Sequence, residues 1–111
     1  KVDKIKTLNK NDYIKNRLKR LIKEYNQEIQ KTNELINKNN AEIDKLNGEI
    51  QELQDKKIYQ TQEEIENTDS QIQNIQSRIA DINSDIIFYG ESISELKEKI
   101  QKAEQQLQDI M

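Results

Sequence analysis

Isoleucine recurs at every seventh residue along most of this 111-residue chain. One series comprises Ile22, Ile29, Ile36, Ile43 and Ile50, and a second comprises Ile58, Ile65, Ile72, Ile79, Ile86, Ile93 and Ile100. Three residues after most of these lies a second, largely apolar set, which includes Asn39, Leu46, Leu53, Ile75, Ile82, Tyr89 and Leu96. The two sets are the a and d positions of a heptad repeat, and a repeat sustained over about twelve heptads predicts a coiled coil. We call these side chains the seam and expect them to join the strands of an oligomer.

The composition agrees with a long helix that buries one narrow stripe. Only 32% of the residues are hydrophobic and 35% are charged, which is too little apolar surface for a compact globule of this length. Yet the chain has no proline and only two glycines, which is unusual for a disordered chain. The predicted fold class is therefore all-α, a long coiled coil.

The heptad phase breaks once after residue 18, between Ile50 and Ile58, which are eight residues apart. This divides the coiled coil into a first half, residues 18–53, and a second half, residues 58–111. A skip residue within one continuous helix would explain the break. A short loop at residues 54–57, joining two helices in an antiparallel hairpin, would also explain it.

Sequence features support both explanations. In the hairpin, the numbers of facing residues would sum to 111, so that Leu46 faces Ile65 and each polar d residue faces an isoleucine. Thr61 and Glu64 also have the spacing of a capping box, which starts a helix. However, a loop at residues 54–57 would contain no Gly, Pro or Asn, the residues that such turns usually need. We expect the continuous helix and keep the hairpin as the alternative.

The shapes of the seam residues predict the number of strands. Leucine at d favours two strands, whereas isoleucine at both a and d favours three or four. Asn39 at d is accommodated in a trimer, where three side chains meet on the axis. We therefore expect a parallel homotrimer ahead of a dimer, with a hairpin monomer or hairpin dimer behind both.

Two stretches resemble known coiled-coil proteins. The run Ile-Asn-Lys-Asn at residues 36–39 is similar to stalk layers of trimeric surface adhesins. Residues 41–53 look like the helical arms of chromosome-organising ATPases and of bacterial cell-wall hydrolase regulators. These resemblances imply a structural role and assign no family.

The residues that enzymes use are scarce in this chain. There is no histidine and no cysteine, so the commonest general base and the thiolate metal ligands are missing. Gly48 and Gly90 stand alone, and no phosphate-binding loop is present. Glu63, Glu64 and Glu66 are scattered around a helix instead of converging on a pocket. We expect no enzyme activity and predict no catalytic, cofactor-binding or metal-binding residues.

Charge is distributed unevenly. Residues 1–23 contain nine basic and two acidic residues, a net charge of +7, and the rest of the chain carries −10. Apolar residues alternate with the basic ones, which predicts a basic amphipathic helical segment at residues 1–23. Candidates for contact with an anionic partner are Lys15, Arg17, Lys19, Arg20 and Lys23. The first interpretation of this segment is a solvated, positively charged start of a helix. The second is contact with the acidic part of a neighbouring molecule, and the third, less favoured one is contact with nucleic acid or an anionic membrane surface, because aromatic residues are few and the overall charge is acidic.

No apolar run approaches the roughly 18 residues that span a bilayer, and no signal-peptide pattern begins the chain. We expect a soluble segment of unknown compartment, and Lys1 suggests a fragment or a processed chain. The expected function is a structural coiled-coil element, a spacer or oligomerisation rod of a larger assembly, with itself and another protein as partners. The alternative is a helical-hairpin module that binds a protein partner.

Overall fold

The computed structural model describes the backbone of residues 2–110 and the side-chain environments of residues 10–110. Helix α1 spans Val2–Lys56, a 3₁₀ turn spans Lys57–Tyr59, and helix α2 spans Gln62–Ile110. The described residues contain no strand. The predicted all-α class is confirmed.

Both helices are long because nothing in their sequences interrupts them. Residues 37–40, 67–70 and 89–92 resemble turns in composition, yet all three stretches are helical. Backbone φ is negative at every described residue, glycines included. The unbroken heptad phase was the better guide here, since a loop at any of these stretches would have shifted the seam.

Gly48 lies within α1, and an added Cβ would have no heavy atom within 4 Å of it. Glycine in a helix interior is less favourable than alanine by about 1 kcal/mol. We therefore expect Gly48→Ala to raise the free energy of unfolding by about 1 kcal/mol, measured by urea denaturation followed by circular dichroism. A loss of stability would mean that the backbone at residue 48 is not helical in solution.

The described chain divides into two compact units. The terminal unit comprises the chain up to Asn33 and from Gly90 onwards. In this unit the ammonium nitrogen of Lys99 lies 5.9 Å from the centroid of the Tyr25 ring. Leu21 and Ala103 line a common groove. Earlier residues of α1 thus lie beside later residues of α2, which is antiparallel pairing.

The central unit is Glu34–Tyr89 and contains the turn. Here the Arg78 guanidinium donates hydrogen bonds to Glu42 Oε1, from Nη2 at 2.6 Å and from Nε at 3.2 Å. Leu46 and Ile75 line one groove between the helices. The pairing of α1 with α2 is antiparallel in this unit as well.

The structure therefore shows the hairpin and not the continuous helix that the sequence favoured, because α1 ends at Lys56. The register also differs from the predicted hairpin. Leu46 lies near Ile75 and not near Ile65, and the numbers of the paired residues Glu42 and Arg78 add to 120 instead of 111. Most of this difference follows from the position of the turn, at residues 57–61 instead of 54–57, because each residue by which a turn moves shifts the facing partner by two.

Most of the seam is covered. Buried side chains are Leu18, Leu46, Thr68, Ile72, Ile82, Ile93, Leu96 and Ala103. The other seam residues are half-buried, except for Ile58, which is 77% exposed, and Thr61, which is also exposed. The seam assignment is wrong at Ile58 because this residue lies in the 3₁₀ turn, and the heptad of α1 continues instead to Lys57 and Gln60, which are half-buried.

None of the described helices has a stretch apolar and long enough to cross a membrane.

Candidate interaction surfaces

The turn between the helices is closed by a capping box. Gln60 is extended, with φ −100° and ψ 153°, and α2 begins after Thr61. The Glu64 backbone N–H donates to Thr61 Oγ1 at 3.3 Å, and the Thr61 backbone N–H donates to Glu64 Oε1 at 3.4 Å. The Thr61 hydroxyl also donates to Glu64 Oε1, at 2.9 Å. The capping box that the spacing of Thr61 and Glu64 predicted is confirmed, and it starts α2.

Further contacts hold the turn against α2. The Gln60 backbone N–H donates to the Lys57 carbonyl at 3.2 Å. The Thr68 hydroxyl donates to Gln60 Oε1 at 2.8 Å, and Thr68 is only 4% exposed. Lys57 pairs with Asp69. These side chains connect the 3₁₀ turn to the second turn of α2. No residue of the turn has a positive φ.

Removing the cap should weaken the hairpin. We expect Thr61→Ala to lower the free energy of unfolding by about 1 kcal/mol, because the first turn of α2 loses its side-chain acceptor. Thr32→Ala is the matched control, since the Thr32 hydroxyl donates only to the Glu28 carbonyl within α1, at 2.8 Å. Equal effects of the two substitutions in urea denaturation would contradict the assigned cap.

Two pairs of large apolar side chains are exposed. Ile58 and Tyr59 at the turn are 77% and 90% exposed. Ile87 and Phe88 in α2 are 63% and 62% exposed. The Phe88 ring packs edge to face on Tyr89, with centroids 6.0 Å apart. Sequence reasoning missed Ile87 and Phe88, although two adjacent apolar residues just outside the a and d positions were a readable signal.

The predicted basic residues lie on α1 in the terminal unit. Lys15 is half-buried, and Arg17, Lys19, Arg20 and Lys23 are exposed. Lys15, Lys19 and Lys23 share one helix face through their spacing of four residues. None of these side chains forms an ion pair with another side chain that the structure describes. Their contact with an anionic partner stays a prediction.

The two units differ in charge. The terminal unit contains 13 basic and 9 acidic residues, a net charge of +4. The central unit contains 5 basic and 12 acidic residues, a net charge of −7. Together they account for the −3 of the whole chain. The asymmetry that the first 23 residues showed in the sequence therefore persists at the level of the folded units.

Arg78 forms the ion pair that joins the helices of the central unit. Its hydrogen bond to Glu42, the charge of Glu42 and the charge of Glu49 raise the pKa of the Arg78 guanidinium above its usual value. The Arg78 side chain is 64% exposed, so solvent screens the pair. We therefore regard the pair as a marker of helix register and not as a source of stability.

Grooves lie between the helices within each unit. The groove over Leu46 and Ile75 is rimmed by Lys38, Lys45, Glu49 and Arg78. Within the described part of the chain, no cluster of three or more His, Cys, Asp or Glu residues could hold a metal ion. No family model, curated protein or solved structure matches the chain.

Proposed function

We propose that this chain is a structural helical hairpin that sets a distance within a larger assembly and associates with a protein partner through residues outside its seam. The supporting observation is the antiparallel pairing of α1 with α2 in each unit, seen in the Tyr25 to Lys99 and Glu42 to Arg78 contacts. A coiled coil that closes on itself is a folded element without needing other copies.

The length and regularity of the helices support the spacer part of this proposal. Helix α1 has 55 residues and α2 has 49. At 1.5 Å per residue α1 measures about 80 Å. Within each unit the two helices are paired, and paired helices resist bending better than single ones, so they suit a part that fixes a separation.

The hairpin also changes how association would take place. The homotrimer prediction assumed a continuous helix whose seam faces other copies. In the hairpin, side chains of α2 cover the seam of α1, so the premise of that prediction is lost. An interaction would instead use apolar residues that the hairpin leaves exposed, and Ile87 with Phe88 is one such pair.

Exposure of Ile58 and Tyr59 favours a second function, in which the turn binds an apolar pocket of a protein partner. This function is the alternative that the sequence analysis named, a helical-hairpin module that binds a protein partner. Substituting both residues with serine should abolish such binding and leave the helical content unchanged, because neither side chain contributes to the buried core.

Dependence of helical content on concentration tests the proposed function. A hairpin folds within one chain, so its helical content should stay constant on dilution over at least a hundredfold range, measured by circular dichroism in cells of different path length. A continuous helix that needs other copies unfolds as it dissociates, since association stabilises by mass action. Loss of helical content on dilution would therefore contradict the proposal.

A further inference from the structure

The backbone between the two helices departs from helical structure at very few residues. Lys56 is still helical, with φ −62° and ψ −29°, and the 3₁₀ turn ends at Tyr59. Gln60 is extended, and α2 begins at Gln62. None of these residues is Gly or Pro, and none has a positive φ. A change of backbone conformation at Gln60 and Thr61, which we call the hinge, would therefore join α1 and α2 into one continuous helix.

The heptad repeat continues through the turn. Ile58 lies seven residues before Ile65, and Lys57 lies seven residues after Ile50. The difference of one residue between the two phases is a skip that a continuous helix can absorb. In such a helix Ile58 and Ile65 would share one face, because residues seven apart are separated by almost two full turns. The side chain that the hairpin leaves 77% exposed thus belongs to the stripe that α1 covers further along α2.

The hydrogen bonds of the turn would be exchanged for helical ones. The last carbonyls of α1 and the first N–H groups of α2 have no partner within their own helices. In the hairpin the Thr61 hydroxyl accepts from the Glu64 N–H, and the Lys57 carbonyl accepts from the Gln60 N–H. In a continuous helix the two sets of backbone groups would satisfy each other. Opening therefore exchanges one set of hydrogen bonds for another.

A continuous helix separates α1 from the α2 of its own chain, so a second copy has to cover both. The register within the central unit indicates the contacts that this copy would add. Glu42 pairs with Arg78, and steps of seven residues along both helices towards the turn lead to Lys56 and Glu64. In the hairpin Glu64 is bonded to Thr61. In two opened chains it would instead face the oppositely charged Lys56 of the other copy.

We propose that two copies of the chain exchange helices, so that each opens at the hinge and its α1 pairs with the α2 of the other. The α1–α2 contacts inside each unit then stay the same and are made between copies, which is domain swapping. Only the hinge changes its structure, and Ile58 becomes covered. This inference rests on the hairpin of the proposed function, and it names a second copy as a partner. The exchange would convert a spacer made of one chain into a link between two chains.

Refolding from urea at two protein concentrations tests the exchange. Pairing between copies is favoured by mass action at about 1 mM, and the hairpin is favoured at about 5 µM. In sedimentation velocity at each refolding concentration, we expect a species of about 26 kDa in the first sample, twice the 13.2 kDa of one chain, and one chain in the second. A chain that stays monomeric and fully helical in both samples would overturn this inference alone. Loss of helical content on dilution would overturn the proposed function.

Spin labels distinguish the exchanged dimer from two hairpins that lie side by side. One preparation would be labelled through Glu42→Cys and another through Arg78→Cys, and the two would be refolded together at the higher concentration. Exchange brings residue 42 of one copy against residue 78 of the other, so we expect double electron–electron resonance to show a separation of about 20 Å or less. The same preparations mixed after folding at the lower concentration are the control. A dimer without this distance would overturn the inference.

Proline at residue 62 should block the exchange and preserve the hairpin. Gln62 is the first residue of α2, a position that tolerates proline. In a continuous helix the same proline would remove a hydrogen bond and clash with the preceding turn, once in each copy. We expect Gln62→Pro to raise the dissociation constant of the dimer at least a hundredfold. Gln62→Ala is the matched control and should dimerise like the unsubstituted chain. Unchanged dimerisation of Gln62→Pro would overturn the inference.

Removing the cap should have the opposite effect. Thr61→Ala weakens the hairpin, whereas the continuous helix does not use the cap of either copy. We therefore expect Thr61→Ala to lower the dissociation constant of the dimer by about thirtyfold. Thr32→Ala is the control, since its hydrogen bond to Glu28 lies within α1 and is the same in both forms. A dissociation constant that Thr61→Ala leaves unchanged or raises would overturn the inference.

Discussion

Replacing Ile72 with alanine should lower the free energy of unfolding by about 2 to 4 kcal/mol, the usual cost of deleting a buried isoleucine side chain to Cβ. Ile72 is 6% exposed, so its side chain packs almost entirely against other side chains, and the substitution removes those contacts. Ile58→Ala is the matched control, because Ile58 is 77% exposed. Its expected cost is below about 0.5 kcal/mol. Urea denaturation at one fixed protein concentration measures both.

This comparison distinguishes the hairpin from the heptad assignment. Ile58 and Ile72 occupy the same a position in the sequence repeat, so a continuous coiled coil predicts similar losses for both. The structure predicts a large loss at Ile72 alone. A loss above about 1.5 kcal/mol for Ile58→Ala would restore Ile58 to the seam and contradict the 3₁₀ turn at Lys57–Tyr59.

Thr68→Val should lower the free energy of unfolding by about 1.5 kcal/mol, because it removes the donor to Gln60 and leaves that acceptor partly unsatisfied. The sequence alone suggests the opposite, since an apolar residue at a d position usually strengthens a seam. The structure shows a reason for threonine. Its hydroxyl donates to Gln60 at 2.8 Å, and the side chain is 4% exposed.

The Gln60→Ala background provides the control for Thr68. Without the Gln60 acceptor, the substitution Thr68→Val should cost less than about 0.5 kcal/mol, so that the double-mutant cycle yields a coupling of about 1 kcal/mol. Thermal and urea denaturation of the four proteins would measure it. An unchanged cost in the Gln60→Ala background would show that Thr68 acts through its volume and not through this hydrogen bond.

Helix formation and the seam could be predicted because they depend on local periodicity. From Ile65 onwards every predicted seam residue is buried or half-buried, and the same holds from Ile22 to Leu53. The heptad phase depends only on neighbouring turns of one helix, so the sequence reveals the seam whichever partner covers it. The identity of that partner, another copy or the second helix, is a question of topology that periodicity cannot answer.

The position of the turn was less predictable. Absence of Gly, Pro and Asn argued against a loop at residues 54–57, and this argument was correct for those residues, most of which are helical. The chain reverses at residues 57–61 through a 3₁₀ turn and an extended Gln60, which need no positive φ. The capping box at Thr61 and Glu64 was the signal that pointed to the right place.

The candidate interaction surface depends on burial that the sequence does not contain. Ile87 and Phe88 could have been recognised as apolar residues outside the heptad, but in a three-stranded or four-stranded bundle such positions pack against further helices. Only the two-helix pairing leaves them 63% and 62% exposed. The charge difference between the ends of the chain was visible in the sequence, whereas the assignment of +4 and −7 to folded units needed the structure.

The distance between residues 42 and 78 is the most direct test of the hairpin. The chain has no cysteine, so cysteines introduced at Glu42 and Arg78 would be its only sites for spin labels. Double electron–electron resonance, with labelled chains diluted in unlabelled ones, would then report distances within one molecule. Labels at residues 24 and 42, both in α1, provide the control, with about 27 Å expected for an intact helix.

The hairpin places residues 42 and 78 on helices in contact, whose axes are about 8 to 10 Å apart, so we expect a label separation of about 20 Å or less. A continuous helix would separate the same residues by about 54 Å. A dominant distance near 54 Å would contradict the hairpin.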